Sequence, residues 1–257
     1  SGTSAVTISA IAKEGLIPVQ EFGAAVDGVT DDAAAIQESL DSLGYAFILY
    51  DERAGYTECR INSAINVDQG IVFSNNRQMK ILCHVTAGQY AFNFTSVPFL
   101  GYGEVANLTI QQNTASGGVK AFECRQVHVR NVTFLGNASG TAAIYLTGGS
   151  TNGSAWNHVD DVLAYDYTYG IRLETTGGLE YCNRNFVSNS TFQQCDTAVH
   201  MKRASTNMLQ AVGCQNSTIH IWMQSAQRNY FLVMNETQSS FSAYLDADSY
   251  KNAFHGN

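Results

Sequence analysis

Charge is scarce in this chain: Lys, Arg, Asp and Glu make up 14% of its 257 residues and sum to a formal -8. A weakly acidic surface of that kind repels phosphate backbones, which excludes a nucleic-acid partner on electrostatic grounds. No apolar run approaches the roughly 18 residues that span a bilayer, so no membrane-crossing helix is expected. The start, S1-G-T-S-A-V-T-I-S-A, has neither the basic nor the apolar region of a signal peptide, and the chain reads as soluble. Proline is almost absent, with two residues in all, so the backbone can donate along nearly its whole length. The six cysteines (Cys59, Cys83, Cys124, Cys182, Cys195, Cys214) have no C-x-x-C spacing and read as buried free thiols rather than metal ligands. No metal and no cofactor is expected.

What is present is Asn, Ser, Thr and Gly around short apolar segments, with 45% hydrophobic residues, enough for a real core. Five of these segments align: V105-A-N-L-T-I110, V129-R-N-V-T-F134, V159-D-D-V-L-A164, V187-S-N-S-T-F192 and the weaker L209-Q-A-V-G-C214. Their starts are about 22 to 30 residues apart, the range for one turn of a solenoid. A second series runs with it: A143-I-Y-L146, I171-R-L-E174, V199-H-M-K202, I219-H-I-W222 and F241-S-A-Y244. Period-two alternation sends one set of side chains inward, predicted here as Ile171, Leu173, Val199, Met201, Ile219 and Ile221. The Asn or Asp at the third position of the first series marks a bend, since these residues tolerate left-handed backbone. Asp161 is therefore read as a turn residue rather than a catalyst.

Only one stretch reads as helical. Thr30 or Asp31 can cap it, Asp31 and Asp32 suit its positive end, and Ala34, Ile36, Leu40 and Leu43 form an apolar stripe ending at Gly44. A helix there would cover the open apolar end and the unpaired edges of a stacked coil. Asp27, Asp31 and Asp32 are read as capping groups in preference to calcium ligands.

The stretch F22-G-A-A-V-D-G-V-T-D-D-A-A-A-I-Q37, continued by Y56-T-E-C-R-I-N-S-A-I-N-V67, resembles the entry motif and first turn of the pectate-lyase-like parallel β-helix proteins, a group that includes bacteriophage tailspikes. The resemblance implies an all-β, right-handed, single-stranded parallel β-helix with an N-terminal capping helix. The expected division is a lead-in over 1–20, the capping motif and helix over 21–44, and the coil over 45–257. Within the group the tailspike or tail-fibre branch fits best. It implies a homotrimer in the virion, assembled in the host cytoplasm beside other tail proteins and binding a bacterial surface polysaccharide. A non-catalytic fibre segment and a free, secreted lyase or hydrolase are the alternatives. No trimerising or capping domain is evident after the last visible turn, D246-A-D-S-Y-K-N-A-F-H-G-N257.

On such a scaffold the outward residues of the second series form a ladder: Tyr145, Arg172 with Glu174, His200 with Lys202, His220 with Trp222, and Tyr244. Aromatic faces and hydroxyl-binding cations suit a glycan groove. An ordinary Glu174–Lys202 ion pair and aromatic packing against a neighbouring subunit are the structural alternative. Hydrolysis needs two carboxyl groups about 5 Å or roughly 6.5 to 9.5 Å apart. Glu174 is the best-placed candidate, followed by Asp160 and Glu180, then Asp166 and Asp196. A lyase would instead use Arg172, Lys202, His200 or Tyr145. The N-T-D, G-H-G and R-I-K signatures of polygalacturonases are absent. His200 and His220 are expected as a solvated stacked pair.

Overall fold

The structure, a computed structural model, describes residues 15–95, 102–176, 181–234 and 243–255. Among these residues the strands fall into three main columns and one short fourth stack (Ser154–Ala155, Cys182–Asn183, Ala204–Ser205), and every strand ladder is parallel. The result is a right-handed parallel β-helix. The first column stacks Tyr45–Ile48, Ile71–Ser74 and then the opening halves of Gly103–Gln112, Val127–Gly148, His158–Thr175, Phe186–Gln193 and Met208–Gln215, ending with Tyr230–Met234 and Ala253–His255. The second column stacks Glu58–Ile61, Lys80–Cys83 and the halves of the long strands beyond their bends. The third holds Tyr90–Thr95, Gly117–Phe122, the ends of the two longest strands, Thr197–Lys202, Ile219–Gln224 and Ala243–Leu245.

The bends between the first two columns lie where Asn and Asp recur. Asn107, Asn131, Asp161 and Asn189 all have left-handed backbone, with φ of 55, 52, 50 and 48°. Ala211 occupies the same place in the weaker copy at φ 53°, without the side chain that favours this conformation. Arg77 reaches across the bends. Its guanidinium donates to Asn131 Oδ1 and Thr133 Oγ1, each at 2.9 Å, and pairs with Asp161 at 3.5 Å. Asp161 is a bend residue, as its sequence position predicts.

A second turn, which leads from the third column back into the first, is built on a buried asparagine ladder. Asn157, Asn185, Asn207, Asn229 and Asn252 each follow a non-glycine residue with positive φ (Trp156, Arg184, Thr206, Arg228, Lys251). The Nδ2 of each of the first four donates to Oδ1 of the next at 2.9, 2.9, 3.0 and 3.0 Å. The same Oδ1 accepts the backbone N–H of the preceding asparagine. The second Nδ2 proton goes to a backbone carbonyl, Cys182 O for Asn207 and Ala204 O for Asn229. Both oxygen lone pairs and both amide protons are therefore used in a place that water does not reach.

Inside the coil, Ile171, Leu173, Val199, Met201 and Ile221 are fully buried, as alternation requires; Ile219 is only half-buried. All six cysteines are buried free thiols. The helix, α1 (Ala33–Leu43), begins after Asp32, whose side chain makes no capping bond to it, and is stopped by Gly44, whose backbone is left-handed and whose N–H bonds Leu40 O at 2.8 Å. Its buried stripe is Ala33, Ala35, Ile36, Ser39 and Leu40, while Ala34, expected inward, is exposed. The reason is the helical period: Ala34 is two residues from Ile36 and so on the opposite side, whereas Ala33 is three residues from it and shares its face. Asp32 turns back to accept Ala25 N and Val26 N, at 2.7 and 3.2 Å, while Asp31 accepts the N–H of Ala33. Ile36 and Leu40 join the core that runs through the coil, and burying each contributes about 1.5–3 kcal/mol. Of the lead-in expected over 1–20, all but 15–20 lies outside the described residues.

Two substitutions test the turns. Asn207→Asp keeps the shape but sets a carboxylate oxygen against Asn229 Oδ1 and Cys182 O. We expect a loss of about 2–5 kcal/mol at neutral pH in a urea titration. Protonation restores one donor, so the deficit shrinks as pH falls; an unchanged midpoint at pH 7 contradicts the ladder's role. Ala211→Asn should raise stability by about 0.5–1 kcal/mol, seen as a higher melting temperature, because asparagine visits the left-handed region more readily than alanine.

Candidate functional site

The outward face of the third column carries the predicted ladder, with a corrected register. Tyr145 pairs with Arg172, Arg172 with His200, His200 with Trp222, and Trp222 with Tyr244. His220 is not on this row. It lies between Ile219 and Ile221, whose partners are Thr197 and Val199, and is 4% exposed. The expected solvated His200–His220 stack is not formed: His200 is itself buried and lies between the rings of Tyr169 and Trp222, with centroids 5.1 and 5.0 Å away. The two histidines share parity along a repeat that reads equally well two residues later, and the strand pairing chooses the later phase.

Aromatic rings and cations alternate along this face. The Arg172 guanidinium carbon lies 4.9 Å from the Tyr145 ring centroid and 5.2 Å from that of Tyr169, and Lys120 Nζ is 5.8 Å from Tyr145. Tyr145 also stacks on Tyr90. At the centre is Glu174, 4% exposed. It pairs with Arg172, lies 3.3 Å from Lys202 Nζ, and accepts the Tyr145 hydroxyl at 3.3 Å. Trp222 is half-buried and Tyr244 is 58% exposed, so the ladder opens to solvent at its later end.

Among the described residues, the carboxylates proposed from the sequence do not converge. Glu174 is the only carboxylate in the described strands of the third column. Asp160 is on the outward face of the first column, where its Oδ1 accepts from Ser188 Oγ at 2.5 Å and Asn189 Nδ2 at 3.0 Å. Asp166 has left-handed backbone in the long strand His158–Thr175, between the second and third columns. Glu180 lies outside the described residues. Among the described residues no cluster of three His, Cys, Asp or Glu is disposed to hold a metal ion.

A second feature was not anticipated from the sequence. On the outward face of the first column, Tyr102, Gln126, His128, Trp156 and His158 line an open groove of about 530 Å³. The Tyr102 ring meets His128 edge-on at 4.8 Å, and His128 stacks on His158 at 4.8 Å. Beneath it, Glu104 is 1% exposed and is held by Tyr102 and Arg130. The signal was available: Q126-V-H128, W156-N-H158 and R184-N-F186 share one register just before the first-series segments.

No protein-family model and no curated protein sequence matches the chain. In fold it is similar to the pre-mature gene product 12 of bacteriophage phi29, with 14% identity over 89% of this chain and 34% of that one, and a TM-score of 0.62. It is also similar to the tailspike of phiAB6, solved with oligosaccharides of Acinetobacter baumannii surface polysaccharide, with 13% identity, 91% and 49% coverage and a TM-score of 0.55. A third is PfbA, a surface adhesin of Streptococcus pneumoniae, with 10% identity, 95% and 79% coverage and a TM-score of 0.56. The chain spans about a third and about a half of the two phage proteins. At these identities the likeness is one of fold.

Burial gives the site histidines an acid response. Desolvation, with a smaller contribution from His158, holds His128 down to about 4, and desolvation lowers His200 and His220 too. Between pH 6.5 and about 4 the unfolded chain binds protons at His128 that the native chain does not. Stability is therefore full above pH 6.5 and falls as pH drops through that window. His128→Gln should flatten this part of a denaturation-midpoint profile; an unaltered profile would refute the assignment.

Proposed function

We propose that this chain is part of a bacteriophage tail protein that binds a bacterial surface polysaccharide along the third column, without cutting it. The observation that carries the reading is the row Tyr145, Arg172, His200, Trp222 and Tyr244 on consecutive coils of one face. Successive rungs lie about 4.8 Å apart, close to the length of one sugar ring. Flat rings stack on sugar faces while Arg172 and Lys202 donate to hydroxyl or carboxylate oxygens. The fold likeness to the phiAB6 tailspike, which is bound to a bacterial surface oligosaccharide, and to a phi29 gene product supports the phage context. A homotrimer beside other tail proteins is the assembly we expect, with the exposed Leu245 available for subunit packing.

Binding is favoured over cleavage by the state of Glu174. The oxygens of this carboxylate are already engaged by Arg172, Lys202 and Tyr145, and the described strands of the third column hold no second carboxylate to complete the pair that glycoside hydrolysis needs. The use of Glu174 is to hold the two cations in place beside the aromatic rings.

The test is a binding screen of the purified protein against capsular and O-antigen polysaccharides, with reducing ends measured in parallel. We expect one or a few glycans to bind, no new reducing ends, and a loss of about tenfold or more in affinity for Trp222→Ala or Tyr145→Ala. Sugar release abolished by Glu174→Gln would overturn the non-catalytic reading. Binding indifferent to both aromatic substitutions would remove the ladder as the site.

A further inference from the structure

The groove on the first column lies on a different sheet from the ladder and has its own chemistry. We infer that it is a second saccharide site, one that takes a carboxylate-bearing sugar such as a uronate or a sialate. The inference rests on the polysaccharide-binding reading above and adds a ligand class and a place to it.

Three observations carry it. The lining is aromatic or amide throughout: Tyr102, Gln126, His128, Trp156 and His158 border an open space of about 530 Å³, room for a sugar ring or two. Trp156 is flanked by two cations, with the guanidinium carbons of Arg125 and Arg184 each 5.4 Å from its ring centroid. They reach it from the neighbouring coils, Arg125 being paired with Ala155 and Arg184 following Asn183, which pairs with the same alanine. A guanidinium over a ring keeps its in-plane N–H donors, which form the fork that grips a carboxylate. Arg184 is exposed and forms no ion pair with a carboxylate among the described residues.

The electrostatics set the ligand class. The chain is acidic overall at -8, yet two of its 14 basic residues stand here around one indole. The carboxylate at the floor, Glu104, is buried and engaged by Arg130 and Tyr102, so its charge is matched before any ligand arrives. A neutral sugar would use the rings and leave the Arg184 donors to water. An acidic one uses both.

The chain's two tryptophans separate the sites, because Trp156 is in the groove and Trp222 on the ladder. Trp222→Phe leaves Trp156 as the sole indole. This variant is titrated with oligogalacturonate, with α2,8-linked oligosialate and with a neutral cello-oligosaccharide of equal length. We expect a saturable change in Trp156 emission with at least one acidic probe and none with the neutral one. Adding Arg184→Ala should weaken the fitted affinity at least tenfold while leaving the melting temperature unchanged. No saturable response to either acidic probe, an equal response to the neutral one, or an affinity indifferent to Arg184 would overturn the inference. The ladder is followed separately in Trp156→Phe protein through Trp222 emission with the screened polysaccharides, so either site can fail without the other.

Discussion

The structure depends on stacking successive coils at one fixed spacing, and the buried asparagine ladder supplies that spacing where the chain reverses. A turn into the first column leaves backbone N–H groups pointing along the coil axis, away from any strand partner. Unsatisfied, each would cost about 1–3 kcal/mol. Asn157, Asn185, Asn207 and Asn229 remove the penalty: the backbone N–H and Nδ2 of each donate to the Oδ1 of the asparagine one coil on, which also fixes the distance between coils to that of a strand pair. The positive φ of Trp156, Arg184, Thr206, Arg228 and Lys251 is the strain tolerated to aim those amides. Both outward faces inherit their regular rungs from this turn.

Much of the fold was legible because two kinds of residue mark it. The alignment of Val105, Val129, Val159, Val187 and Leu209 is the pairing found in space, residue for residue. It could be read because a bend residue, Asn or Asp in four of the five copies, stands at a constant offset and fixes the phase. The second series has no such marker. I219-H-I-W222 alternates so evenly that it fits V199-H-M-K202 at two registers, and only pairing through Thr197 and Ile219 decides between them. A143-I-Y-L146 is likewise displaced by one, since Ile144 rather than Ala143 stands opposite Ile171. The asparagine ladder was in plain view as W-N, R-N, T-N, R-N and K-N, but a lone Asn before an apolar segment reads as a loop until its copies are superposed.

The sites were less legible than the fold for a geometric reason. Alternation says which residues face out from one strand, but a β-helix has three outward faces and sequence order does not say which are shared. Asp160 and Glu174 are close in the chain and both outward, yet they belong to different columns. The groove shows the converse, since His128 and His158 occupy equivalent positions on successive coils and Tyr102 reaches them from the coil before, two residues ahead of Glu104, the partner of His128. Chemistry on a solenoid is assembled at intervals of one coil, so the informative comparison is between positions a turn apart.

That geometry also bears on what the ladder can do. A repeated scaffold offers the same contact at each rung, which suits a repeating polymer that can bind in several registers. Cleavage needs two different carboxyl groups converging on one bond, which breaks the repetition. On the third column the repetition is kept among the described residues: rings at Tyr145, His200, Trp222 and Tyr244, cations at Arg172 and Lys202, and a single carboxylate, Glu174, which orders those cations. A buried carboxylate so engaged fixes the two side chains in place before a ligand arrives, which lowers the entropy lost on binding. The same division recurs on the first column, where Glu104 engages Arg130 and Tyr102 beneath the histidine stack. In both places a buried glutamate orders the charged and aromatic groups around it, and those groups face outward toward solvent.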